Sequence, residues 1–163
     1  MKFDKALLIK NLTAQTEKQA KVIIDDVLNQ VVDSLMELSP VGQPDDWTTM
    51  IAAEDYTPGK YKANWVHSVG TPVYEYFNHE DDRDDSFQQI DCITGRLLKS
   101  HIKENKAIVT KHYFTNSVPY AQDIELGSAV HNPQSLTKPH AVAGLTAQNI
   151  PSFIAKAQSR VKK

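Results

Sequence analysis

The chain has 163 residues, 40% of them hydrophobic and 23% charged, enough for one globular domain with a modest core. Its 18 basic and 20 acidic residues leave a formal net charge of -2, which excludes a general electrostatic pull toward nucleic acid. A single cysteine, Cys92, excludes an internal disulfide and a multi-cysteine zinc site and suits a reducing compartment.

No stretch approaches the roughly 20 apolar residues of a membrane span. The opening MKFDKALLIKNL sets Asp4 and Lys5 among its apolar residues, unlike a signal peptide. A short helix is expected over residues 4–12, capped by Asp4. The clearest element follows. From Thr13 to Leu38 there is no Gly or Pro, and Val22, Ile23, Ile24, Val27, Leu28, Val31, Val32, Leu35, Met36 and Leu38 recur at three and four residues. That is one apolar stripe of a long helix, with Thr16 and Gln19 as a capping box. Ser39-Pro40 ends it, because the residue before proline avoids the helical region.

Residues 39–62 hold three prolines and two glycines and read as an irregular arm, long for a plain connection. Trp47, Met50, Ile51 and Tyr56 give that arm apolar side chains to dock. Strand patterning begins near Tyr61. Ala63, Trp65, His67 and Val69 share one face, and Asn64, Val66 and Ser68 the other. Gly70-Thr71-Pro72 makes a turn, and Val73, Tyr74, Tyr76 and Phe77 suggest the return strand of a hairpin. Glu80 to Asp85 reads as a solvated acidic loop.

Residues 86–103 carry helical spacing, weakened at Gly95. AIVTKHYFT, 107–115, is rich in β-branched and aromatic residues and reads as a strand. NSVP is a turn, and 120–127 a short helix stopped by Gly127. A loop spans 128–142, with 140–148 undecided. A last helix over 150–163 starts with Pro151 in its first turn, capped by Asn149 or Ile150. The sum is an α+β domain over 1–163: a long N-terminal helix and further helices packed on a small antiparallel sheet, with long irregular insertions.

Catalytic chemistry finds little footing. The run Glu80, Asp81, Asp82, Asp84, Asp85 offers oxygens for a hard cation, but lacks the central Gly and terminal Glu of a calcium loop. The six histidines, His67, His79, His101, His112, His131 and His140, contain no pair spaced for one helix face. His67, beside Trp65, reads as packed or surface. Ser39 and Ser68 lack a nucleophile elbow, and TPGK lacks the upstream glycine of a phosphate loop. No catalytic, cofactor or metal residue is assigned. Two basic clusters, Lys60 with Lys62 around Tyr61 and Lys156, Arg160, Lys162 and Lys163, could meet phosphates, but read at least as well as ordinary helix-end and strand-edge charges.

Three pieces fall in a familiar order: SPVGQPDDW, then YTPGKYKANWVHSVGTP, then YFTNSVPYAQDIELGSA. Over roughly the whole chain this resembles the neck or tail-completion proteins of long-tailed bacteriophages, also called minor tail or head–tail joining proteins. The residues that carry the resemblance are Ser39, Pro40, Val41 and Gly42; Gly59, Lys60, Ala63, Asn64 and Trp65; and Thr115, Asn116, Pro119, Tyr120, Ala121, Glu125 and Gly127. It departs from the pattern at Pro58-Gly59-Lys60, where relatives have paired glycines and an Arg, at Leu126, where an aromatic is usual, and in the loop after Gly127.

The resemblance implies a structural virion protein, made in the bacterial host cytoplasm and incorporated into the tail. It implies a homo-oligomeric ring, six-fold by expectation, at the head-proximal end of the tail. The ring would touch the tail terminator or tube protein on one side and the head-closure or portal-side neck protein on the other, with DNA passing through. Trp47, Met50, Ile51, Tyr56, Val130 and Leu136 are the expected contacts between subunits, and 78–86 an acidic rim or lumen segment. The alternative is a tail-terminator ring that caps tube growth. Less favoured are a metal-dependent hydrolase or nuclease using Glu80–Asp85 with a histidine, and a DNA-binding module. Trp65 is expected beneath the long helix.

Overall fold

The computed structural model describes residues 5–41, 59–76, 87–104, 111–127 and 139–161, with side chains from Thr16 in the first segment and over 94–103 in the third. Seven elements follow in order: α1 (Lys5–Leu38), α2 (Lys60–Ala63), β1 (Trp65–Val69), α3 (Phe87–Glu104), β2 (His112–Asn116), α4 (Ala121–Leu126) and α5 (Val142–Val161). The class is α+β: a mainly helical chain with one two-stranded antiparallel sheet.

α1 is the spine. Its buried residues Leu28, Val31, Val32 and Leu35 follow the spacing of one helix face, and Met36 extends it. α5 packs on one side of this stripe through Val142, Phe153 and Ala157, and α3 on another through Leu98 and Ile102. Tyr61, Trp65 and Val118 close the core from the sheet side. α5 runs antiparallel to α1, as three polar ties show. Ser34 Oγ meets Thr146 Oγ1 at 2.9 Å, Gln30 Nε2 donates to the Phe153 carbonyl at 3.3 Å, and Arg160 Nη1 donates to Asp26 at 2.6 Å.

Several expectations change. The short helix over 4–12 and the long helix are one 34-residue helix, since nothing between Asn11 and Thr16 breaks the backbone ladder. Thr16 and Gln19 therefore lie inside α1 rather than at its start, and Val22 is 50% exposed, off the buried stripe. The predicted stop holds. Ser39 N–H and Oγ both donate to the Leu35 carbonyl, at 3.1 and 2.6 Å.

Residues 60–63 form a single helical turn rather than the start of the strand. Gly59 enters it at φ 79, a left-handed value that favours glycine. The Asn64 side chain then donates to the Lys60 carbonyl at 2.8 Å, a local bond that competes with strand geometry.

The hairpin does not form either. β1 pairs with β2, in the register Trp65↔Asn116, His67↔Phe114 and Val69↔His112. Residues 72–76 carry no strand, and Tyr74 is 75% exposed. Pro72 removes a ladder donor, and the edge of β1 is taken by a segment richer in strand-forming residues. What holds 70–73 is local: Ser68 Oγ donates to the Thr71 carbonyl at 2.9 Å, and Thr115 Oγ1 donates to the Val73 carbonyl.

The last helix starts eight residues earlier than its predicted bound of 150, at Val142, so Pro151 is interior and the predicted caps Asn149 and Ile150 are helical. Pro151 and Ala147, whose carbonyl loses its donor, are both exposed, so water can satisfy that carbonyl.

Candidate functional site

The pieces that carry the family resemblance come together where α1 ends. Ser39 Oγ accepts the indole N–H of Trp65 at 2.9 Å, and Trp65 is 6% exposed against the core that includes Leu35 and Met36. The Val41 carbonyl accepts the N–H of buried Gly59 at 2.7 Å, bringing the two ends of the arm together. Pro40, between Ser39 and Val41, is half-buried.

On the neighbouring strand, Asn116 sits opposite Trp65. Its Nδ2 donates to the Tyr61 carbonyl at 2.7 Å, and its Oδ1 accepts the Val118 N–H at 3.3 Å. Tyr61 meets Trp65 edge to face, with ring centroids 5.8 Å apart, and its hydroxyl donates to Glu125 Oε1 at 2.8 Å. Burial pushes the Tyr61 phenol far above its ordinary range, and the hydrogen bond and charge of Glu125 add to this.

Glu125 has a second task. Its carboxylate accepts the Ala143 N–H in the first turn of α5, at 3.0 and 3.2 Å, which caps that helix from another element. The same junction carries backbone bonds from His140 N–H to the Ile124 carbonyl and from Ala141 N–H to the Glu125 carbonyl. α4 is framed by Tyr120, whose carbonyl accepts from Ile124, and by Gly127 at φ 82, whose N–H donates to Asp123. Ala121 packs half-buried against the core, and Pro119 is exposed at the turn before it.

A second constellation lies further along the same face of β1. His67, 4% exposed, holds His101 of α3 at one ring nitrogen and His112 of β2 at the other. His67 Nδ1 lies 3.0 Å from His101 Nδ1, and His67 Nε2 lies 3.1 Å from His112 Nδ1. The His67 ring lies side by side with His112, nearly parallel at 5.3 Å between centroids, meets His101 edge-on at 5.0 Å and leans on Phe114 at 4.9 Å. Burial, with the neighbouring imidazoles, holds His67 down at about 4. Burial also lowers His112, against an opposing pull from Asp25.

The sequence left His67 as packed or surface, and the structure buries it; the trio, whose members are 34 and 45 residues from His67, was not foreseen. The period-2 face of β1 was the one available signal. The trio does not converge on a point, because His67 turns opposite nitrogens to its two neighbours. Among the described residues no cluster of His, Cys, Asp and Glu is arranged to hold a metal ion.

Beside the trio, a solvent-open groove of about 590 Å³ runs between α1 and α3, lined by both signs of charge: Asp25, Asp33, Arg96, Lys99 and Lys103. Lys99 and Asp33 pair across the helices. Lys62 is buried, Lys60 lies 5.2 Å over the Tyr76 ring, and Arg160 is paired with Asp26. The six expected subunit contacts, Trp47, Met50, Ile51, Tyr56, Val130 and Leu136, lie outside the described residues, as do the acidic run 78–86, Lys162 and Lys163. No described helix is long and apolar enough to cross a membrane. Comparison with protein-family models, curated proteins and solved structures finds no match.

Proposed function

We propose that the chain is a structural protein of the neck of a long-tailed bacteriophage, a ring-forming subunit at the head-proximal end of the tail. One observation supports this above others. The three segments that resemble that family, around Ser39, Gly59–Trp65 and Asn116–Gly127, interlock through Trp65–Ser39, Asn116–Tyr61 and Tyr61–Glu125 bonds. These motif side chains are spent on holding one shape, as a protein that works by assembly requires. On this reading the chain is not an enzyme. Its partners are further copies of itself, the tail terminator or tube protein, and the head-closure or portal-side protein, with genomic DNA passing through without sequence recognition.

The test is mass by light scattering on the purified protein, with and without isolated tail tubes, followed by electron microscopy of any complex. Rings, or monomers that become rings at tube ends, are expected. A ring that seals the tube and stops its growth would instead identify a terminator. A chain that stays monomeric and ignores tails would overturn the neck reading.

A further inference from the structure

We infer that the His101–His67–His112 chain is an acid-sensitive clasp that ties the end of α3 to the β1–β2 sheet and holds at most one added proton. The argument rests on donor and acceptor counting. A neutral imidazole has one N–H donor and one bare acceptor nitrogen. Three neutral rings therefore make both contacts, 3.0 and 3.1 Å, if each points its N–H the same way along the chain. One added proton is tolerated. A cationic ring at one end donates to His67, which passes its own N–H to the ring at the other end.

A second proton is not tolerated. With both end rings cationic, each presents an N–H to His67, which has one acceptor. One contact becomes N–H against N–H, and two cations flank a buried ring. The contact that fails couples different elements, since His101 comes from α3, His67 from β1 and His112 from β2. Of the groups facing the trio, Asp25 on α1 favours the charged form of His112, and Phe114 on β2 is neutral. Asp25 is itself paired with Lys21 at 2.9 Å. His101 is exposed, so solvent protons reach the chain from the α3 side. Leu98 and Ile102 still anchor α3 to α1, so the clasp loosens the last turns of α3 from the sheet without detaching the helix.

Hydrogen exchange on the full chain tests this, at about pH 7.5 and about pH 5, corrected for intrinsic rates. Amides in the last described turn of α3, residues 100–103, are expected to lose protection by at least about tenfold at the lower pH, while those around Phe153 in α5 keep theirs. His101→Gln, an exposed substitution that cannot become cationic, should suppress the loss. His140→Gln, at an exposed histidine outside the trio, should leave it intact. Nitrogen NMR of the imidazoles gives a second readout, with His67 keeping one bare ring nitrogen at about pH 5. Equal loss of protection in α3 and α5, no loss at all, or an undiminished loss in His101→Gln would each overturn the clasp.

Discussion

The two ends of the β1–β2 ladder solve the same problem differently. Both bury polar rings beside the core, and both must satisfy them. At the Trp65↔Asn116 end each donor has a fixed acceptor: indole to Ser39 hydroxyl, amide to Tyr61 carbonyl, phenol to Glu125 carboxylate. Toward the Val69↔His112 end, from His67 onward, the donors and acceptors are interchangeable imidazole nitrogens. One stretch of the ladder is thus tied by fixed donor–acceptor pairs, and the other by hydrogen bonds whose directions depend on where the imidazole protons sit.

The largest way to break the first end is Trp65→Ala. Loss of a core aromatic should cost about 3–5 kcal/mol in denaturant unfolding. A loss below about 1 kcal/mol would mean that the indole contributes little to the core.

Acidification attacks the second end. The native His67 value, about 4, lies below the ordinary 6.5, so the unfolded chain takes the proton first. Stability from this ring is full above pH 6.5 and is lost as pH falls from 6.5 toward 4. The loss should approach about 3 kcal/mol, and His67→Phe should flatten that part of the curve. A flat curve in the unsubstituted chain would contradict the assignment.

Glu125→Ala should cost about 2 kcal/mol, since it strands the Tyr61 hydroxyl and uncaps α5. Glu125→Gln, which keeps an acceptor, should cost less, and thermal melts would rank the pair. Arg160→Ala serves as the reference away from both ends. Its ion pair with Asp26 is largely exposed on the arginine side, so a change within about 1 kcal/mol is expected.

Much of this fold could be read from residue order. The stripe of α1, its stop at Ser39-Pro40, the spacing of α3 and the Gly127 stop of α4 are local signals, and each appears where the residues put it. The errors have two kinds of cause, local balances at Gly59–Asn64 and Pro151, and pairings with distant parts of the chain. The segment after Gly70 looked like a return strand until a better partner, more than 40 residues away, occupied β1. Pro151 looked like a helix start because its missing donor is costly in an interior, and only its exposed face makes it tolerable there. The trio was invisible for the same reason as the sheet pairing. His101 and His112 reach His67 only once α3 and β2 are both docked, and no spacing along the chain encodes that.

The pairing of α1 with α5 has a consequence for how the chain is made. Gln30 bonds to the Phe153 carbonyl across 123 positions, and Asp26 waits 134 positions for Arg160. At about 5–20 residues per second, a ribosome delivers α5 roughly 6–25 s after the α1 stripe has emerged. During that interval Leu28, Val32 and Leu35 lack one of the helices that cover them. A nascent chain stalled before Val142 therefore carries a sticky helix, and chaperone capture or aggregation of such stalled chains should fall sharply once α5 has been synthesised.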